Sequence, residues 1–233
     1  MRINKYLSSC GIDSRRKCEQ YVLDGRVKIN GKTVKDLATD VKDDDIVEVD
    51  GHYVTLAPTK TYIMLNKPKG CVTTVSDDKG RKTVLDYVKV KKRVFPVGRL
   101  DYDTEGLLLL TDDGDLANKI MHPGNSVRKT YSVRVEGEPT DAELKRIRKG
   151  IEFEGVKYAP AEVVVVGTEK GETKLNITVS EGKNHEIKKM VEAIGHRVQF
   201  LKRVSIGSLA VGGLKRGEWR YLKPEEISYL KSL

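Results

Sequence analysis

The chain has 233 residues, of which 38% are hydrophobic and 33% charged, and its formal net charge is +9. This length predicts one small and one medium domain, and the basic charge favours a polyanionic partner. No apolar run approaches the roughly 18 to 20 residues of a membrane span, and no basic-then-apolar leader opens the chain, so we expect a cytoplasmic protein with no membrane partner.

The first 35 residues predict two helices followed by a β-hairpin. Apolar residues are spaced as on a helix over residues 2–9, and Ser14 is placed to cap a second helix that runs to Leu23. Asn30-Gly31 is the strongest short signal for a two-residue hairpin turn. The segment therefore predicts a compact unit with a hairpin against two short helices.

The charges of this unit are polarised. Residues 1–35 hold nine Lys or Arg against three acids, whereas residues 36–50 hold one Lys against seven acids. Arg15 and Arg16 stand in the first turn of the second helix, where cations oppose the helix macrodipole. Stability alone would not select them, so they indicate a use such as contacting phosphates, with a merely solvated basic turn as the alternative.

The stretch RINKYLSSCGIDSRRKCEQYVLDGRVKINGKTV resembles the S4 RNA-binding domain along nearly its whole length. We place this domain at residues 1–57, followed by a short linker around residues 56–59. The resemblance implies an RNA-contacting set made up of Arg2, Lys5, Ser14, Arg15, Arg16 and Arg26.

From Tyr62 onward the pattern is that of an α+β domain. Apolar strand-like runs alternate with helical stretches at residues 115–121, 140–149 and 185–194, and a last helix is expected to start at Pro224. Repeated βαβ units are absent, and the run from Tyr131 to Val135 alternates apolar with polar residues, which is typical of an antiparallel strand with one buried face. We expect a mixed, mainly antiparallel sheet flanked by helices.

The segment with the most unusual composition is the acidic loop before four consecutive leucines. Asp101, Asp103 and Glu105 follow Gly98, and Leu107–Leu110 imply a strand that is buried on both faces. A loop held by such a rigid strand suits a catalytic group. Taken by itself, however, the spacing favours a solvated acidic turn.

No metal site or disulfide framework is expected. The three cysteines lack paired spacing, and His185 and His196 are eleven residues apart with no further ligand at metal-binding spacing. The run from Asp112 to Asp115 is not continued as a calcium loop would be, so an Asp-Gly turn before a helix is expected there.

Residues 62–223 resemble the catalytic domain of pseudouridine synthases of the RsuA/RluB type. Four ordered motifs carry the resemblance: LNKPKG, GRLDYDTEGLLLLTDDG, RKTYSV and EGKNHEIKKM. It implies a catalytic domain at 61–233, in which Asp101 is the catalytic carboxylate and Tyr131 packs on the target base and assists proton transfer. The resemblance places Lys188 at the basic position of the last motif, where an Arg is more usual; pairing of Lys188 with Asp101 is expected, and a solvent-facing Lys is the alternative.

The resemblance implies isomerisation of uridine to pseudouridine in ribosomal RNA, with no cofactor. The segment DLANKIMHPGNSVRKTYSVRVEG favours the large-subunit branch of RluB type. The alternatives are a small-subunit enzyme and a non-catalytic RNA-binding protein of ribosome assembly. A methyltransferase is disfavoured, because the sequence has no Gly-rich cofactor-binding turn. The expected partner is ribosomal RNA or a ribosomal subunit precursor, bound by a monomer. The further residues expected to contact RNA are Arg99, Lys183, His185 and Lys189.

Overall fold

The computed structural model describes residues 1–233, and contacts within it divide the chain into two units. The N-terminal unit comprises Met1–Thr61 with the short segments Lys91–Val94 and Asp112–Gly114. The C-terminal unit comprises Tyr62–Val90, Phe95–Thr111 and Asp115–Leu233. The domain boundaries expected at residues 57 and 61 stay a prediction. No helix in the chain combines the length and apolarity that crossing a membrane would require.

The N-terminal unit contains the two helices and the hairpin expected from its sequence. Its elements are α1 (Ile3–Ser9), α2 (Arg15–Leu23), β1 (Val27–Ile29), β2 (Lys32–Val34), β3 (Val47–Val49) and β4 (His52–Val54). The Ser14 side chain caps α2 by accepting a hydrogen bond from the Lys17 amide at 3.3 Å. Asn30 and Gly31 both have positive φ, as the expected two-residue turn requires.

The acidic segment adds a second hairpin that the sequence analysis did not predict. The strands form a four-stranded antiparallel sheet in the order β2-β1-β3-β4. Val47 and Val49 are buried on one face of β3, and Asp50 and Gly51 form its turn with positive φ. Only two alternating valines mark this strand, and they lie in a strongly acidic stretch. The sequence pattern was therefore too short to predict a strand here.

The C-terminal unit is built on one large sheet. The strands of the unit are β5 (Tyr62–Lys67), β6 (Phe95–Val97), β7 (Glu105–Thr111), β8 (Lys129–Glu136), β9 (Ile151–Phe153), β10 (Val156–Tyr158), β11 (Glu162–Glu169), β12 (Glu172–Val179), β13 (Val198–Ile206), β14 (Leu209–Ala210) and β15 (Trp219–Tyr221). Strands β9 and β10 form a separate two-stranded sheet. Nine strands form the large sheet: seven run in the order β11-β12-β8-β13-β7-β5-β15, β14 pairs with β13 and β6 pairs with β7. Only β7 and β13 pair in parallel, so the expected mixed, mainly antiparallel sheet is confirmed.

The helices of this part of the chain follow their sequence signals closely. They are α3 (Gly114–Met121), α4 (Asp141–Lys149), α5 (Glu186–Glu192) and α6 (Pro224–Ser232). The Thr140–Glu143 capping box starts α4, and Gly150 ends it with a positive φ. Helix α5 starts one residue later than expected, because His185 adopts a left-handed conformation (φ 53°) and lies just outside the helix, and it ends at Glu192, two residues before the expected end at 194.

The four leucines lie on an interior strand of the large sheet. Leu107, Leu108 and Leu110 have no exposed surface and Leu109 is 3% exposed, so burial of both faces of β7 is confirmed. Strand β7 lies between β5 and β13 and its first residues follow the acidic loop directly. The loop that carries Asp101 is therefore attached to a strand that is buried along its whole length.

Candidate active site

A buried lysine joins two segments of backbone around Asp101. Lys67, at the end of β5, has no exposed surface, and its ammonium donates to the carbonyl oxygens of Asp101 at 2.8 Å and Thr104 at 2.9 Å. Gly70 also donates its amide to the Tyr102 carbonyl at 2.9 Å. The LNKPKG motif therefore holds the backbone of the acidic loop through these hydrogen bonds.

The other end of the loop is fixed by a close approach of two strands. Gly106 of β7 pairs in parallel with Arg203 of β13. A Cβ at Gly106 would lie 2.1 Å from the Arg203 carbonyl oxygen, and its φ is +109°. The Arg203 Nε donates in turn to the Leu107 carbonyl at 2.8 Å. Only glycine fits at position 106 without separating the strands.

Lys188 lies between two carboxylates of the loop. Its ammonium is 3.0 Å from Asp101 Oδ2 and 2.7 Å from Asp103 Oδ1. The expected Lys188–Asp101 pair is confirmed, whereas the Asp103 contact was not predicted. Burial opposes its charge, but hydrogen bonds to Asp103 and Asp101 raise the pKa of Lys188. Burial also opposes ionisation of Asp103, and the hydrogen bond from Lys188 lowers the pKa of that carboxyl nonetheless.

His185 and Tyr131 both line the cavity that contains Asp101. His185 Nε2 is 3.6 Å from Asp101 Oδ1, on the other oxygen from the one that Lys188 contacts. Tyr131 of β8 stands directly opposite Arg203 of β13, so these two side chains are cross-strand neighbours. Of the three residues assigned to the chemistry in the sequence analysis, Asp101 and Tyr131 line one cavity, and Lys188 contacts Asp101.

A cavity of about 350 Å³ opens beside Asp101. This volume is within the range of small-molecule sites and can hold a single nucleobase with its sugar. Residues of the C-terminal unit alone supply the lining. It consists of Gly98, Arg99, Leu100, Asp101, Thr104, Met121, Lys129, Tyr131, Glu181, Gly182, Lys183, Asn184, His185, Glu186, Ile187, Leu201 and Arg203.

Buried charged residues at this cavity were missed by the sequence analysis. The Lys129 ammonium donates to the carbonyls of Val127 and Glu181, both at 3.0 Å, and burial lowers its pKa. Burial, followed by the nearby charge of Glu181, raises the pKa of Glu186 to about 7. Both residues stand inside recognised motifs, but charged residues are mostly exposed, and nothing in the sequence marked these as buried.

Some of the residues of this unit that are expected to contact RNA line the cavity, and others do not. Arg99 is exposed and Lys183 is held by Glu181 at 3.0 Å, and both line the cavity. Lys189 instead pairs with Glu154 at 2.8 Å and Glu192 at 3.2 Å and does not line it. Adjacent helical residues point about 100° apart, which separates Lys189 from Lys188.

The expected RNA contacts of the N-terminal unit also divide into two groups. Arg15 and Arg16 are exposed and form no ion pair, while Lys5 is half-buried. The Arg26 guanidinium is engaged by Asp50 through two hydrogen bonds of 2.9 and 2.5 Å. Arg2 lies 3.5 Å from Asp40, and the Ser14 hydroxyl caps α2. Arg15 and Arg16 are thus the arginines of this set whose charge is not matched within the protein.

Comparisons with known proteins cover nearly the whole chain. Residues 61–193 match the family described as RNA pseudouridylate synthase, and residues 1–47 match the S4 domain. An uncharacterized RNA pseudouridine synthase of Aquifex aeolicus (strain VF5) is 46% identical over 99% of this chain and 93% of its own. The ribosomal large subunit pseudouridine synthase B of Bacillus subtilis (strain 168) is 42% identical over 100% of this chain and 96% of its own. A crystal structure of a pseudouridylate synthase is 31% identical, with a TM-score of 0.72 and 99% of both chains covered.

Proposed function

The chain belongs to the RNA pseudouridylate synthase family and carries an N-terminal S4 domain, and we propose that it isomerises uridine to pseudouridine in large-subunit ribosomal RNA. The motif resemblance and the fold class expected from the sequence are confirmed. The name of the Bacillus subtilis relative supports the choice of ribosomal subunit. The observation that carries the assignment of the site is the Asp101 carboxylate held by Lys188 at the cavity.

The reaction exchanges one bond to the sugar for another. The N1–C1′ glycosidic bond breaks, the uracil turns, and C5 is joined to the same C1′, while the C5 proton is lost and N1 gains a proton. Atoms balance without an outside reactant, so no cofactor is required. An ionised carboxylate beside C1′ serves this chemistry either by forming a covalent adduct or by removing the 2′ proton to give a glycal-like intermediate.

We assign Asp101 this carboxylate role and assign Lys188 the task of orienting it, through the contact of 3.0 Å between the ammonium and Asp101 Oδ2. Tyr131 then packs on the base and relays the proton that moves from C5, a role supported by its place on the cavity wall. These three roles require only side chains of the C-terminal unit.

The target uridine has to leave its stack to reach this cavity. Extrusion costs a few kcal/mol that contacts to the surrounding RNA must offset.

We propose that residues 1–57 act as the RNA-binding domain and residues 61–233 as the catalytic domain. The proposed RNA contacts are Arg2, Lys5, Ser14, Arg15, Arg16, Arg26, Arg99, Lys183, His185 and Lys189. Because one chain supplies the whole cavity lining, we also propose that the protein acts as a monomer, in the cytoplasm.

The test is a map of pseudouridines in both ribosomal RNAs from cells with and without this protein, repeated with purified protein and transcripts of each RNA. We expect loss at one or a few large-subunit positions, restored by the purified protein. Loss from small-subunit RNA alone would overturn the choice of subunit. No loss from either RNA, together with no conversion of either transcript, would overturn the enzymatic assignment.

A further inference from the structure

Three buried polar atoms without a hydrogen-bond partner belong to residues that line the cavity beside Asp101. They are Glu186 Oε1, Arg203 Nη2 and Thr104 Oγ1. In the whole chain only two other buried side-chain atoms lack a partner, and those belong to Asn4 and Asn66, outside the lining. Leaving such an atom unpaired is costly, so their concentration at one cavity indicates that a ligand supplies the missing partners.

The three atoms have different hydrogen-bonding characters. Arg203 can only donate, the threonine hydroxyl can do either, and an ionised Glu186 can only accept. Glu186 and Arg203 are 5% and 3% exposed, so they are not partnered by bulk water. A ligand that satisfies both must present an acceptor to Arg203 and a donor to Glu186, such as a carbonyl oxygen and an N–H group.

The position of Arg203 places this pair at the base and not at the phosphate. Arg203 is the direct cross-strand neighbour of Tyr131, the residue assigned to pack on the target base. Its Nε is already used by the Leu107 carbonyl, which fixes the guanidinium and leaves Nη2 free. Lys129 lies close to both residues, since Arg203 lowers and Glu186 raises its pKa after the larger effect of burial.

We propose that Glu186 and Arg203 read the hydrogen-bonding edge of the uracil, with Glu186 Oε1 accepting from N3–H and Arg203 Nη2 donating to an adjacent carbonyl oxygen. Uracil presents that carbonyl and N–H pattern. Cytosine presents an unprotonated N3 and an amino group instead, so an acceptor would face an acceptor and a donor would face a donor. With Glu186 ionised, the pair therefore selects uridine over cytidine. This inference rests on the proposed function, because it takes the cavity as the uridine site.

The test is an NMR titration of the full chain with uridine 5′-monophosphate and with its N3-methyl derivative, which lacks the N3–H. We expect the wild type to bind uridine monophosphate about tenfold more tightly, the effect of one lost hydrogen bond to a buried acceptor. Glu186→Leu should bind both nucleotides equally. Glu186→Gln keeps an acceptor oxygen and should retain most of the preference.

Glu192→Leu is the matched control, since Glu192 is exposed on the same helix and does not line the cavity. A variant that merely loses fold would bind both nucleotides less well without changing their ratio in its folded fraction. Equal affinity of the wild type for the two nucleotides, no detectable binding of uridine monophosphate, or an unchanged preference in Glu186→Leu would each overturn the proposal. Because binding and not turnover is measured, this failure is separate from a failure to form pseudouridine.

Discussion

Lys188 is the cation that pairs with the carboxylates of the candidate site. An arginine would hold a single carboxylate through a bidentate fork, whereas an ammonium has three separately directed donors. Lys188 uses them on two carboxylates, at 3.0 Å to Asp101 and 2.7 Å to Asp103. The lysine at this position is therefore matched by a second acidic partner, which offsets the loss of the fork.

Removing this cation should impair chemistry more than folding. We expect Lys188→Met to lower the single-turnover rate of pseudouridine formation roughly 100-fold, as is typical for loss of one preorganised charge contact at a reacting centre. Lys188→Arg restores a cation and should recover most of the rate. A Lys188→Met rate equal to that of the wild type would contradict the role given to the ion pair.

Glu186 should make the protein less stable as pH rises. Its pKa in the folded protein is raised from 4.5 to about 7 by burial and then by Glu181. Between these two pH values the folded state binds more protons than the unfolded state, so the free energy of unfolding falls with increasing pH. Below pH 4.5 the carboxyl is protonated in both states and the penalty is absent.

Glu186→Gln removes this titration while keeping the shape of the side chain. Thermal or urea unfolding should find the variant more stable than the wild type at pH 8, by an amount on the order of 3 kcal/mol at most. The difference should shrink towards pH 4.5. A difference that is constant from pH 4.5 to pH 8 would contradict ionisation of a buried Glu186.

The sequence alone marks only part of the residues around the cavity. Asp101, Tyr131 and Lys188 were identified because they stand in long ordered motifs. Lys67 and Arg203 were not, although both are buried and hold the backbone of the site. A charged side chain carries no local signal of burial, because burial depends on strands that are distant in sequence.

At the scale of elements, the leucine strand was predictable and its tightest contact was not. Four successive leucines imply burial on both faces, and the structure has them there. The contact of Gly106 with Arg203 joins residues of β7 and β13 through the sheet's one parallel pairing. Glycine in the sequence was compatible with a turn, and only the pairing shows why no larger residue fits.

Gly106→Ala should therefore destabilise the sheet next to the Asp101 loop. The added Cβ would meet the Arg203 carbonyl at 2.1 Å, and φ +109° is strained for alanine. We expect a loss of about 3 kcal/mol or more in the free energy of unfolding, measured by urea denaturation. Gly114→Ala is the control, because an added Cβ there meets nothing within 4 Å and alanine favours a helix. Equal stability of the two variants would contradict this account.

At the scale of the whole molecule, the net charge is +9, and the basic residues of the N-terminal unit differ in whether an acidic side chain of the protein pairs with them. Arg2 and Arg26 lie next to Asp40 and Asp50, whereas Arg15 and Arg16 on α2 form no ion pair. The sequence analysis identified all four by resemblance but could not separate them, since the acids that pair with two of them are more than 20 residues away in the chain.

We expect the double variant Arg15→Ala and Arg16→Ala to weaken RNA binding and to reduce its salt dependence. Each lost phosphate contact should lower the slope of log K against log salt by about one. The control is Lys170→Ala with Lys174→Ala, which removes two exposed charges from the β11–β12 hairpin. The measurement is RNA affinity across a salt series, and an identical slope for both double variants would contradict phosphate contacts by α2.

The central claim, that Asp101 is the carboxylate acting at the sugar, is tested most directly by comparing Asp101→Asn with Asp103→Asn in a pseudouridine assay on the mapped ribosomal RNA. Both residues bind Lys188, but only Asp101 lines the cavity. We predict that Asp101→Asn abolishes conversion while RNA binding remains, and that Asp103→Asn converts the RNA at a reduced rate. Conversion by Asp101→Asn at a rate comparable to the wild type would contradict the account.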